Sequence, residues 1–147
     1  MRRVLMAAAV LGLGVSAVMA QQEVAVQQQN LMKSQGRSMY GVVLKMVKGD
    51  TPFDKAAADA ALKALADDVV KIPTAFTTNP KQDVKDATFG ASQKIWQNKA
   101  DFDAKVPPVT KAIADVKFTD AASLKVAYDA IQAKCNDCHD SYRVKLK

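Results

Sequence analysis

Leu124, Tyr128, Ile131, Cys135, Cys138 and Tyr142 follow one another in steps of three and four. That spacing gathers side chains on one face of a helix and scatters them across both faces of a strand. The segment from about Thr119 is therefore expected to be an amphipathic helix with both cysteines of the chain on its buried stripe. Three other segments keep the same period. One runs from about Gln22 to Lys48. A second ends near Phe76 and aligns Ala58, Leu62, Leu65, Val69, Ile72 and Phe76. A third begins near Ser92 and aligns Ile95, Phe102, Val106, Val109, Ile113 and Val116. Period-two alternation is absent, so no strand is expected. Four amphipathic helices of this length predict an all-α fold, an antiparallel up-down-up-down four-helix bundle.

Capping residues support the same division. Thr51-Pro52-Phe53-Asp54 reads as an N-cap, a proline at the first helical position and an acidic first turn. Thr119-Asp120 supplies a second cap. "TTNPKQDVKDATFGAS" is polar, holds a proline and a glycine, and reads as the longest loop. Pro107 and Pro108 lie inside the third helical pattern, where proline costs a backbone hydrogen bond. A kink is expected there, or a helix that stops near Lys105 and restarts.

The first twenty residues, "MRRVLMAAAVLGLGVSAVMA", place two arginines before an apolar run that closes on Val18-Met19-Ala20. This is the pattern of a secretory signal peptide cleaved after Ala20. The alternative, a retained membrane anchor, meets an apolar run short for the roughly 20 residues that span a bilayer. The expected organisation is a cleaved leader, 1–20, and one domain, 21–147. That domain is exported, in a bacterium to the periplasm, with no stable membrane insertion. Removing twenty of the 147 residues leaves 127, enough for one core. It leaves nineteen basic against fifteen acidic side chains, a formal charge of +4. No dense basic patch is interleaved with aromatics, so nucleic acid is not an expected partner.

The only histidine completes a C-x-x-C-H motif, Cys135, Cys138 and His139. Such a motif has three readings. A dithiol redox pair normally opens a helix after a strand, and here it lies near a helix end with no strand signal. A closed zinc site wants four ligands, and the chain offers three adjacent ones. Covalent haem attachment fits best: the two thiols form thioethers with the haem vinyl groups, and His139 reaches the iron through Nε2. One motif implies one haem c. A single histidine excludes a bis-histidine iron. With the histidine and both thiols so committed, no nucleophile or general base remains, and no catalytic residue is assigned.

Methionine is the usual strong partner of a histidine-ligated c-type haem. Beyond the leader the methionines are Met32, Met39 and Met46, all on the first helix and seven residues apart. Met39 and Met46 read as core, since methionine fills irregular gaps. Met32 is different: in an up-down-up-down bundle the start of the first helix lies beside the end of the fourth, which sets Met32 opposite the C-x-x-C-H turn.

On "QNLMKSQGRSM", "MVKGDTPFD", "KIWQNKADFD" and "CNDCHDSYR", in that order, the chain resembles the cytochrome c′ family, the class II c-type cytochromes. The resemblance covers essentially the whole mature chain. It implies a four-helix bundle, one covalent haem and a histidine ligand from the last helix. The family has two branches. In one the iron is five-coordinate, an apolar side chain blocks the distal face, and gases such as NO or CO bind. In the other, low-spin, branch a methionine on the first helix ligates the iron and the protein carries electrons. The motif match sets the distal side chain at Met32, with Leu31 adjacent, and the local sequence is more similar to the low-spin branch. Where many family members carry an arginine near a haem propionate, this chain has Gln28, which leaves the propionate partner open.

Other residues follow the same resemblance. Arg143, one helical turn after His139, corresponds to a basic residue near the proximal histidine. Trp96 is expected to pack near the haem, and Tyr142 to pack rather than react. Lys134, Arg143, Lys145 and Lys147 cluster near the haem end, a docking face for an acidic redox partner or a solubilising turn. Family members often pair through their first two helices, so a homodimer is consistent with the resemblance. The expected function is one-electron transfer to periplasmic or membrane-bound redox proteins. The rivals are gas binding at an open or displaceable sixth position and, third, peroxidase-like activity.

Overall fold

A computed structural model describes residues 7–146, with side chains from Met19 onward. The first six residues of the expected leader lie outside the described residues. The first helix, α1 (Ala7–Gly36), passes directly into a π-helical segment (Arg37–Val43) and α2 (Leu44–Lys48), forming one long rod. The rod ends at Gly49, whose φ of +80° is the left-handed C-cap that glycine adopts without steric cost.

The second arm is α3 (Lys55–Val69) followed by the single turn α4 (Ile72–Ala75). It does not run unbroken to Phe76 as expected, because Pro73 has no N–H to give to Val69. The cap also differs from expectation. Asp54 rather than Thr51 closes the N-terminus, accepting from the Ala57 N–H at 3.0 Å. Phe53 packs before the cap, its ring edge-on to Phe118 at 6.4 Å, and fixes the entry of the chain.

The third arm is interrupted twice. α5 (Lys94–Gln97) ends at Asn98, α6 (Lys99–Ala104) ends at Lys105, and α7 (Val106–Asp115) restarts at once. Pro107 and Pro108 thus fall in the first turn of α7, where their missing N–H groups would have had no helical partner. The stop near Lys105 read from the prolines is what the chain does. The apolar stripe resumes beyond it, with Val106, Val109 and Ile113 buried. The fourth arm, α8 (Ala121–Tyr142), opens on a capping box. Asp120 accepts from the Ser123 N–H at 2.8 Å while Ser123 Oγ accepts from the Asp120 N–H.

One expectation fails outright, the absence of strands. β1 (Phe89–Ala91) pairs antiparallel with β2 (Arg143–Lys145), Gly90 opposite Val144. Three residues per strand are too few for period two to show in a sequence. A Cβ at Gly90 would press on the ends of two side chains, Asp83 Oδ1 and, at 3.0 Å, Leu146 Cδ2, which would have to turn aside.

The rod packs on α3 and α8, and α7 closes the bundle against both. Met39 and Met46 are core, 3% and 6% exposed, as read from the sequence. Among the described residues, no helix is long and apolar enough to cross a membrane.

Candidate haem site

At one end of the bundle the rod and α8 are held apart by a cavity of about 520 Å³. That is within the usual range for cofactor sites. Met32 lines it from the rod, and Cys135, Cys138 and His139 line it from α8. The pairing of the two helices explains the arrangement. Tyr40 Oη donates to Gln132 Oε1 at 3.0 Å, tying the rod to α8 just inside the cavity. The helices run antiparallel, so stepping back from Tyr40 and on from Gln132 brings Met32 level with His139. Gln35 comes level with the two cysteines. The four residues singled out in the sequence are thus brought to one cavity from elements more than a hundred residues apart.

The state of these side chains argues among the readings of the motif. Burial pushes the Cys135 thiol up to about 11, with Cys138 adding to the effect. Burial also raises Cys138. A redox dithiol depends on a lowered thiol pKa, and these are shifted the opposite way. Among the described residues, no group of three or more His, Cys, Asp or Glu side chains is disposed to hold a metal ion, so the structural-zinc reading gains no support. Burial, and then the Arg143 cation, hold His139 below its ordinary value. Its imidazole is neutral at pH 7 and keeps the lone pair a metal requires.

Aromatic side chains build the rest of the chamber. Phe102 stacks between Phe76, ring centroids 5.4 Å apart, and Tyr142, at 5.2 Å and edge-on. Met32, Trp96 and Cys138 pack against this cluster. Trp96 lies where the sequence placed it, and its Nε1–H donates to Phe76 O at 2.9 Å. Arg143 stacks over the Phe89 ring, 4.6 Å from its centroid, at the cavity mouth. Gln28 is buried, and its amide donates to Ala75 O at 3.0 Å and Thr78 O at 2.9 Å. It braces α1 on α4 and has no donor left for a propionate.

Three features were not legible in the sequence. The loop after α4 forms a side of the cavity from Pro80 to Ala91 rather than leaving the bundle. β2 clasps it there, helped by the Leu146 N–H to Thr88 O at 2.9 Å. Tyr142 does more than pack: its hydroxyl donates to Asp101 Oδ2 at 2.5 Å. That carboxylate raises the phenol to about 12. Gln35 lines the cavity with its Nε2 buried and without a hydrogen-bond partner among the described residues. Asp101 and Gln35 fall inside the family landmarks, but nothing in the sequence singles out either side chain.

A helical bundle that presents a C-x-x-C-H motif to an apolar end-cavity, with a soft thioether opposite, is the architecture of a haem-binding bundle protein. Comparison with known proteins makes this specific. Residues 23–143 match the family model for cytochrome c′. The chain is 62% identical to cytochrome c-555 of Bradyrhizobium diazoefficiens over the full length of both. It is 38% identical to cytochrome c-556 of Rhodopseudomonas palustris over 99% of both. Among solved structures it superposes on cytochrome c′ from Rhodopseudomonas palustris with a TM-score of 0.73 and 32% identity, over 84% of this chain and 98% of that one. The chain belongs to the cytochrome c′ family. It is a monohaem c-type cytochrome, and its cofactor is a covalently bound haem c.

Proposed function

We propose that the protein is a periplasmic electron carrier whose haem iron is held between His139 and Met32. In this reading Cys135 and Cys138 provide the thioether bonds. The meeting of Met32 and His139 in one apolar cavity carries it. The haem, when bound, takes up and gives back one electron. Everything else falls to the side chains. Neutral His139 offers its nitrogen from α8, and Met32 offers a thioether from α1. Two ligands set on two packed helices would hold a bound iron with little rearrangement on electron transfer. Phe76, Phe102 and Trp96 keep water from the site, which favours a high potential along with the methionine. With His139 and both thiols committed to the haem in this reading, the protein is proposed to act without being an enzyme.

The family match begins at residue 23, just after the expected cleavage at Ala20. That supports a leader of residues 1–20 and a mature, exported domain of 21–147. Its partners in this reading are periplasmic or membrane-bound redox proteins, with self-pairing through the first two helices as the family resemblance implies.

The visible spectrum of the purified holoprotein tests this, for the wild type and Met32→Ala. The expected wild type shows low-spin bands and a sulfur-to-iron charge-transfer band, and the variant turns high-spin. A wild type that is already high-spin and takes up CO readily sinks the reading. Met32 would then be packing, and five-coordinate gas binding would replace electron transfer.

A further inference from the structure

Three of the glutamines that line the cavity have very different fates. Gln28 has given its amide to the Ala75 and Thr78 carbonyls. Gln132 accepts from Tyr40 and donates to Asn136 Oδ1 at 2.9 Å. Gln35 has a buried Nε2 with no acceptor among the described residues. A buried donor left unmade costs roughly 1–3 kcal/mol, and buried amides without a partner are uncommon. Such a donor in the wall of a cofactor cavity signals an acceptor that the working protein brings to it.

Position narrows what that acceptor is. Gln28, Met32, Gln35 and Met39 follow one another at four, three and four residues, so they share one face of the rod, the face that lines the cavity. Gln35 is therefore a neighbour of Met32, one turn further into the bundle. It is level with Cys135 and Cys138, the thioether edge, and so away from the edge that carries the propionates. A haem offers no strong acceptor along its thioether edge or ring faces. What the rod itself can bring to this donor, by a turn of either side chain, is the sulfur of Met32 three residues back on the same face, and a thioether keeps a lone pair free for a weak hydrogen bond when it binds a metal.

We propose that Gln35 is a positioning residue for the sixth ligand: its Nε2–H donates to Sδ of Met32. The inference rests on the reading that Met32 ligates the iron. The bond fixes which sulfur lone pair faces the metal. It also draws electron density from the sulfur, which weakens donation to the oxidised iron more than to the reduced iron. Outer-sphere donors tune axial ligands in this way. Gln35 thereby raises the reduction potential without touching the iron.

The test uses the holoprotein and two apolar variants of similar volume, Gln35→Leu and Gln35→Met, so that one folded variant suffices. Each is titrated against a redox dye of known potential, with the sulfur-to-iron charge-transfer band recorded alongside. The expected result is a band that persists, shifted or weakened, and an equilibrium constant for reduction lowered about two- to tenfold, the size of one hydrogen bond. Helix content and unfolding midpoint stay near wild type, which a merely structural role would not combine with a lowered constant. If the band persists unchanged and reduction matches wild type in a folded variant, the Gln35 assignment is overturned and Met32 ligation stands. If the wild type shows no such band, ligation fails and takes this inference with it.

Discussion

The two ends of the bundle are packed in different ways. Away from the cavity the core is aliphatic. Val43, Ala58, Leu124 and Ile131 are fully buried and come from the rod, α3 and α8. Around the cavity the buried cluster is small and mostly aromatic: Phe76, Ile95, Phe102 and Tyr142. The first region is complete in the protein alone, since its side chains fill one another's space at near-crystalline density. The second is a shell of flat rings and half-buried groups, Met32 and Cys138 among them, arranged around a space. One end stabilises the fold, and the other is shaped to a cofactor that the fold must receive.

The sharpest way to break this comparison is at the attachment point. In the Cys135→Ala/Cys138→Ala double variant, haem stain on a denaturing gel is expected to vanish from the protein band entirely, while the aliphatic end remains folded. Persistent stain would refute thioether attachment at these residues.

The next largest effect belongs to the aliphatic end. Leu124→Ala removes a fully buried side chain that does not line the cavity and is expected to cost about 2–5 kcal/mol by denaturant unfolding, with the haem spectrum little changed. Phe102→Leu is the reciprocal case. It touches the rings of both Phe76 and Tyr142, and it is expected to alter the spectrum more per kcal/mol lost. Equal spectral disturbance from both variants would erase the distinction between the two ends.

What the sequence revealed follows the same division. The aliphatic end was legible because helical packing imposes a period, and Ala58 and Leu62 or Leu124 and Ile131 display it. Cys135, Cys138 and His139 were legible because their chemistry demands a fixed spacing. Met32 followed from antiparallel order. The remainder depends on contacts that leave no period. Tyr142 and Asp101 meet from elements 41 residues apart. The β1–β2 clasp is three residues long, and Gln35 differs from Gln28 only in what lies beside it. The cap at Asp54 was misplaced by three residues because Thr51-Pro52 mimics a helix start, whereas the anchored ring of Phe53 fixes where the helix begins.

Tyr142→Phe probes the aromatic end through its polar handle. Asp101 is about half exposed, so the lost charged hydrogen bond is expected to cost only about 1 kcal/mol at neutral pH. Its signature is alkaline. The phenol is raised from 10.0 to about 12 in the folded protein, so its contribution is present below pH 10 and is lost as pH rises toward 12. The wild type should lose stability across that window, and the variant should lose less. Parallel alkaline limbs would show that the hydroxyl contributes nothing.

The smallest effect lies where the rod meets α3, between the two ends. Burial alone would raise the Asp68 carboxyl. Hydrogen bonds from Lys71 and Ser34, with the Lys71 and Arg37 charges, outweigh it and hold the group below its ordinary value of 3.8. Lys71 Nζ lies 2.8 Å from Oδ1. A lowered carboxyl contributes stability that is present above its unfolded pKa and lost as pH falls through the folded one. Asp68→Asn is therefore expected to flatten the acid limb of the stability profile below about pH 4, with a smaller effect than Tyr142→Phe because the Lys71 partner is well exposed and screened. Ser34 is two residues from Met32, so the same substitution also asks whether the ends communicate. An unchanged haem spectrum in Asp68→Asn would mean that the rod is held at the site by its cavity-facing side chains alone. A shifted one would mean that α3 positions Met32 from behind.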